Sequence, residues 1–128
     1  MGKAVAMGLT LEKFDALCGH WPGVTRDIKW GADLVYSVGG KMFAITSADR
    51  SVMERLTIKV PAERFLELTD RPGIIPSPYL ARAHWVAVTD VPRYPTQELE
   101  AFIRTSYTEV RQKLTKKYQS TLGPLPPH

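Results

Sequence analysis

Along residues 53–60 the chain alternates: Leu56, Ile58 and Val60 fall on one side, Arg55, Thr57 and Lys59 on the other. Successive side chains of a strand point to opposite faces, so this spacing predicts a strand with one buried and one wet face, as in an antiparallel sheet. Similar runs precede it. Residues 25–30 alternate with Ile28 and Trp30 on one face and Asp27 and Lys29 on the other. Leu34, Tyr36 and Val38 alternate with Val35 and Ser37, and residues 41–47 form a return strand. Between these last two stands Gly39-Gly40, whose residues accept the positive φ angles of a type I′ hairpin. A fifth strand is expected over residues 85–91.

Helical spacing replaces alternation in three places. Thr10 can cap a helix whose apolar stripe is Leu11, Phe14, Leu17 and Cys18, with Gly19 at its end and Trp21 folded back on it. Pro61 opens a short helix to Leu68 that offers Phe65, Leu66 and Leu68 to the core. Thr96 is placed to cap the longest helix, where Leu99, Phe102, Ile103, Ser106, Tyr107, Val110 and Leu114 recur on one side. The predicted order is α-β-β-β-β-α-β-α. Sequential hairpins with segregated helices make an α+β fold: one largely antiparallel sheet, helix-covered on one face and partly open on the other. Residues 9–118 form one domain on this reading, with flexible termini over 1–8 and 119–128.

Composition changes this picture little. A chain of 128 residues supports one real core, and no apolar run approaches the ~20 residues needed to cross a bilayer. The single Cys18 excludes an intramolecular disulfide and a cysteine metal cage. On its apolar stripe it reads as a buried, inert thiol, compatible with the cytoplasmic setting expected here. The net charge of +4 suits an anionic partner.

Residues 71–86 contain three of the ten prolines, together with Tyr79, His84, Trp85, Arg71 and Arg82. So many prolines forbid a regular helix or a central strand, leaving a stiff extended loop that delivers His84 and Trp85 to the fifth strand. If Val86 and Val88 face the core, Trp85 points to the open side near Lys59. There an exposed aromatic among cations would stack bases while its neighbours neutralise phosphates. The opposite phase buries Trp85, and periodicity does not choose, since both phases are apolar. His84 has no Ser, Cys or Asp at triad spacing, and with His20 and His128 it makes no metal-ligand pattern. Gly39-Gly40-Lys41 lacks the long phosphate-loop pattern and links two strands, so it is a hairpin.

The chain carries Leu17-Cys18, Pro22-Gly23-Val24-Thr25, Val38-Gly39-Gly40-Lys41-Met42-Phe43-Ala44, Leu56-Thr57-Ile58-Lys59, Pro72-Gly73-Ile74-Ile75-Pro76 with Tyr79-Leu80 and His84-Trp85, and Ser106-Tyr107 with Leu114. Together these segments resemble the MmcQ/YjbR family of small bacterial proteins. They span most of residues 9–118 in the family's order. Arg82 stands where the family often has Lys, so the cation is kept. The resemblance implies a fold akin to CyaY/frataxin and to secretion chaperones, and DNA binding as the activity. The iron binding that frataxin would suggest lacks its acidic first helix here, which offers only Glu12 and Asp15.

The expected activity is that of a non-enzymatic binding protein with no cofactor and no metal, holding nucleic acid with weak sequence specificity. Its candidate contacts are Lys41, Lys59, Arg82, His84, Trp85, Lys113, Lys116 and Lys117. Two alternatives stand beside it. One is a protein or peptide-binding module, or a self-associating one, that uses the open sheet face or the groove beside the proline-rich loop. The other is a small-molecule site near Tyr79, His84 and Tyr107.

Overall fold

A computed structural model describes residues 9–49, 52–78 and 80–125. Helix α1 (Leu11–Cys18) leads into strands β1 (Val24–Lys29), β2 (Asp33–Val38), β3 (Lys41–Ser47) and β4 (Leu56–Lys59). A 3-10 turn and α2 (Phe65–Thr69) come after them, then β5 (Ile74–Pro76), β6 (Trp85–Val88), α3 (Thr96–Arg111) and α4 (Lys116–Ser120). The six strands form one antiparallel sheet in the order β1-β2-β3-β4-β6-β5. The expected α+β architecture is present, with one strand and one helix more than the pattern predicted.

The added strand is β5, inside the segment read as an extended loop. Its Pro76 lacks an N–H to give, which an edge strand tolerates and a central one does not; β5 is indeed the edge, paired only with β6. The added helix is α4. Thr115 caps it by accepting from the Tyr118 N–H at 3.1 Å. Beyond it, Leu122 and Leu125 pack against the core, and Arg111 donates to the Gly123 carbonyl at 2.9 Å. The expectation of a flexible tail from residue 119 is therefore corrected as far as Leu125. The expectation for residues 1–8 lies outside the described residues.

The main core lies between the sheet and α1, α2 and α3. Leu56, Ile58 and Val60 face it from β4 and its end, as the alternation predicts, and so do Val86 and Val88. The stripe of α3 is buried from Leu99 to Val110. Four aromatic rings, Phe14, Tyr36, Phe43 and Tyr107, meet edge to face in sequence. Trp21 joins them by packing on Phe43 and Tyr107.

Positive-φ turns shape both ends of the sheet. Gly39 and Gly40, at φ +58° and +80°, make the tight β2–β3 turn. A Cβ on Gly39 would lie 2.8 Å from side chains of Leu114 and Tyr118, so the chain after α3 closes directly over this hairpin. At the opposite end of β1, Trp30 has φ +53° and Gly31 φ +91°. The expectation that Ile28 and Trp30 share a face is corrected here. Ile28 pairs with Leu34, which packs on the main core, whereas the left-handed backbone turns Trp30 toward the other face of the sheet.

Candidate functional site

The predicted cations come from distant parts of the chain and meet at one end of the sheet. Lys41 opens β3 opposite Val38, and Lys59 closes β4 opposite Trp85. The Lys59 ammonium donates to the carbonyl of Ala83, next to Arg82. Lys113 follows the end of α3, the helix that packs on β3 and β4, and lies close enough to act on Lys59. Lys116 and Lys117 begin α4, whose Tyr118 covers the Gly39 turn. Burial, then the Lys113 charge, lowers the Lys59 pKa from its ordinary value, while Glu109 opposes the shift. None of the six cations makes an ion pair with a described carboxylate. Elsewhere Arg26, Arg64, Arg71 and Arg93 all do, with Asp15, Glu67, Glu98 and Asp90 as partners.

Trp85 takes the phase that stacking required: it lies on the face away from the helices, in register with Lys59. The residue is nevertheless only 6% exposed. Residues 77–80 fold back over this face, with the Ser77 N–H on the Trp85 carbonyl at 3.0 Å and the Trp85 N–H on the Leu80 carbonyl at 3.3 Å. Leu80 and Met42 cover a small second cluster of Val35, Ile45 and Trp85. A stacking role for Trp85 is thus corrected, because no ring face is free. Periodicity could not reveal this, since the cover comes from a loop.

His84 turns the other way. It adopts a left-handed conformation at φ +64°, its ring lies 5.6 Å from Phe65, and its carbonyl accepts from the Val60 N–H at 2.9 Å. It belongs to the joint between the sheet and α2. The structure does not bring it beside Trp85.

Ser106 and Tyr107 are fully buried and bound to backbone. Ser106 Oγ donates to the Phe43 carbonyl at 2.5 Å and accepts from the Lys59 N–H at 2.9 Å. It fills the place where the β3–β4 ladder has opened beyond Ala44 and Ile58. Tyr107 donates its hydroxyl to the Pro22 carbonyl at 2.6 Å and receives Arg111 at 3.0 Å. Tyr107 and His84 therefore serve separate partners, and Tyr79 lies outside the described residues. Asp15 is likewise engaged, accepting from Tyr36 at 2.6 Å and Arg26 at 2.8 Å. Burial foremost, then the Asp15 charge, raises the Cys18 thiol far above its usual range, which makes it a poor nucleophile. Among the described residues no three His, Cys, Asp or Glu side chains group to hold a metal, and no helix is long and apolar enough to cross a membrane.

A groove on the open face lies beside the proline-rich loop, where the peptide-binding alternative expected one, but its wall of Trp30 was not anticipated from the sequence. Asp27, Val35, Ile45, Thr57, Ala87 and Ile75 stand in register across all six strands on the face opposite the helices. Thr57 and Ala87, the small members at its centre, leave a hollow. Trp30 bounds this hollow on one side and Pro78 and Leu80 on the other, giving a mostly apolar groove of about 570 Å³. Arg55 and Asp33 stand at its mouth, 3.9 Å apart. The sequence signal was a Trp-Gly pair in a turn, where a large aromatic has no place in the main core.

No curated protein matches the chain. Among solved structures it is similar to Deinococcus radiodurans DR2400, a protein with a DUF419 domain: 30% identity, TM-score 0.80, covering 97% of this chain and 94% of that one. A Pseudomonas syringae protein shares the fold at TM-score 0.61 and 18% identity, over 80% of this chain and 99% of its own. The domain model of the YjbR family matches residues 20–109. That span runs from the turn before β1 into α3 and so holds the whole sheet, the Gly39-Gly40 hairpin and the Ser106 bridge; the chain belongs to the YjbR family.

Proposed function

We propose that this protein is a non-enzymatic binding module that holds nucleic acid by its phosphates along the cationic end of the sheet. One observation carries the reading. Six cations separated by up to 76 positions, Lys41, Lys59, Arg82, Lys113, Lys116 and Lys117, share one end of the molecule, with Glu109 acting on Lys59 but no described carboxylate in an ion pair with any of them. A surface folded around unpaired cations gains from a polyanion, because each phosphate neutralised releases condensed counterions. The buried Trp85 and His84, half-buried against Phe65, take no part. The contacts left are to phosphate and carry no base information, which accords with weak sequence specificity.

The test is a fluorescence-anisotropy titration of a labelled oligonucleotide at 50 and 200 mM salt. With about four phosphates engaged, affinity falls roughly a hundredfold across that range. Lys59→Glu and Lys113→Glu each weaken binding and flatten the salt slope. Absence of binding at 50 mM, or affinity indifferent to salt, overturns the proposal.

A further inference from the structure

The groove on the open face is built at some cost. Trp30 holds a left-handed backbone that bulky residues rarely adopt, and the residue is 68% exposed. The three-residue connection Trp30-Gly31-Ala32 is pinned at both ends, by the Lys29–Asp33 pairing and by the Ala48 N–H on the Ala32 carbonyl at 2.7 Å. The indole lines the hollow above Thr57 and Ala87 as one of its walls. At about 570 Å³ the groove falls in the ordinary range for small planar ligands.

Its charge points to the kind of occupant. Arg55, just before β4, lines the mouth of the hollow. Lys59, on the same face of the strand as Thr57, follows about 13 Å further along, beyond the lining residues, with its ammonium on the Ala83 carbonyl. Arg55 meets Asp33 only at 3.9 Å, beyond hydrogen-bond reach, so its donors are open to an anion. The other acid of this face, Asp27, is turned onto the Ile28 N–H at 2.9 Å. An apolar slot with an aromatic wall, a cation at its mouth and a second cation further along the same strand complements a flat ring within a phosphate chain. Lys59 also belongs to the cationic end, so a chain seated in the slot runs toward the phosphate surface.

We infer that this groove takes an unpaired nucleobase against Trp30, with the flanking phosphates on Arg55 and Lys59, and that the nucleic acid held by this protein is single-stranded. The inference rests on the phosphate-binding reading proposed for the cationic end. In a duplex the base faces are already stacked and the edges paired, so only a single strand or an extruded base can enter such a slot. Stacking of this kind tolerates any base, because every base has a π-face.

The experiment compares a labelled oligo(dT) single strand with a random-sequence duplex of equal length at 50 mM salt, reading anisotropy and intrinsic tryptophan fluorescence. Trp21 and Trp85 are 5% and 6% exposed, so quenching by the strand reports on Trp30. The expected results are affinity at least tenfold higher for the single strand and quenching by oligo(dT). Trp30→Ala should lose about tenfold for oligo(dT) and nothing for the duplex, and Trp30→Phe should recover most of the loss. Quenching in the wild type needs no variant to fold. Equal affinity for both forms, with Trp30→Ala silent, overturns the groove as a base site and leaves the phosphate surface standing. Equal quenching by polyglutamate overturns it too, showing that the groove answers to charge or to a polypeptide. Failure of both nucleic acids to bind overturns both readings.

Discussion

The two faces of this sheet are made from the same strands and have met opposite fates. The face of Leu56, Ile58, Val86 and Val88 is covered by α3 and joined by four large aromatic rings. Its polar atoms are assigned: Tyr107 reaches Pro22, and Ser106 replaces the missing rung between β3 and β4. The other face has a cluster of only three buried residues, Val35, Ile45 and Trp85, under a loop and one methionine. Beside that patch it leaves a hollow and an exposed tryptophan. Stability is concentrated on one side of a single layer, and adaptable surface on the other. Binding surfaces tend to be mounted on a rigid scaffold in this way, since what is to be filled by a partner cannot be filled by the chain.

Neighbouring residues of β3 give the sharpest way to break this contrast. Phe43 and Ile45 stand two apart yet face opposite ways, the first into the main core and the second into the small cluster, because the β2–β3 register shifts between Ala44 and Met42. Phe43→Ala is expected to cost about 3–5 kcal/mol in urea unfolding, and Ile45→Ala about 2 kcal/mol, the low end for a buried aliphatic. Equal losses would mean that the open face is as structural as the covered one.

Ser106→Ala comes next. It strands the Phe43 carbonyl and the Lys59 N–H, and should cost about 1–3 kcal/mol for the unsatisfied backbone groups. Hydrogen exchange at the Lys59 amide would rise in step. A loss below a few tenths of a kcal/mol would show that the strands close up without the bridge.

The smallest effect has the opposite sign. Trp30→Gly relieves the left-handed strain of about 1–2 kcal/mol, offset by glycine's greater freedom in the unfolded chain. The variant should be more stable by about 0.5 kcal/mol, seen as a small rise in thermal midpoint. Were it destabilised instead, Trp30 would be part of the fold, and not a residue retained for what it touches.

Much of the covered face was legible beforehand. The stripe Leu99–Val110 of α3 and the alternation of β4 arise from periods of 3.6 and 2, which depend only on local geometry. The Gly39-Gly40 turn was legible for a similar reason, because few other residues take positive φ twice in succession. The cations could be named but not gathered, since nothing in the order of residues 41, 59, 82 and 113 says that they meet. Trp85 shows where local reasoning stopped. Its face was determined once Val86 and Val88 were inward, yet its burial depended on Leu80, carried there by a proline-rich loop. The tail misled in the same way. Gly123 and Pro124 read as disorder, but Leu122 finds the bare backbone of Gly23, within 2.7 Å of where a Cβ would stand.

By itself, then, the sequence determined the α+β class, the two faces of β4, the main helical stripes and the hairpin, each through a periodicity or a backbone preference that acts over a few residues. Tertiary structure alone decided the sixth strand at the edge, the burial of Trp85, the outward turn of Trp30, the groove between Trp30 and Leu80, and the assembly of the cationic end. All of these arise where segments far apart in the chain come together, and packing between such segments is set by the whole fold and by no local period.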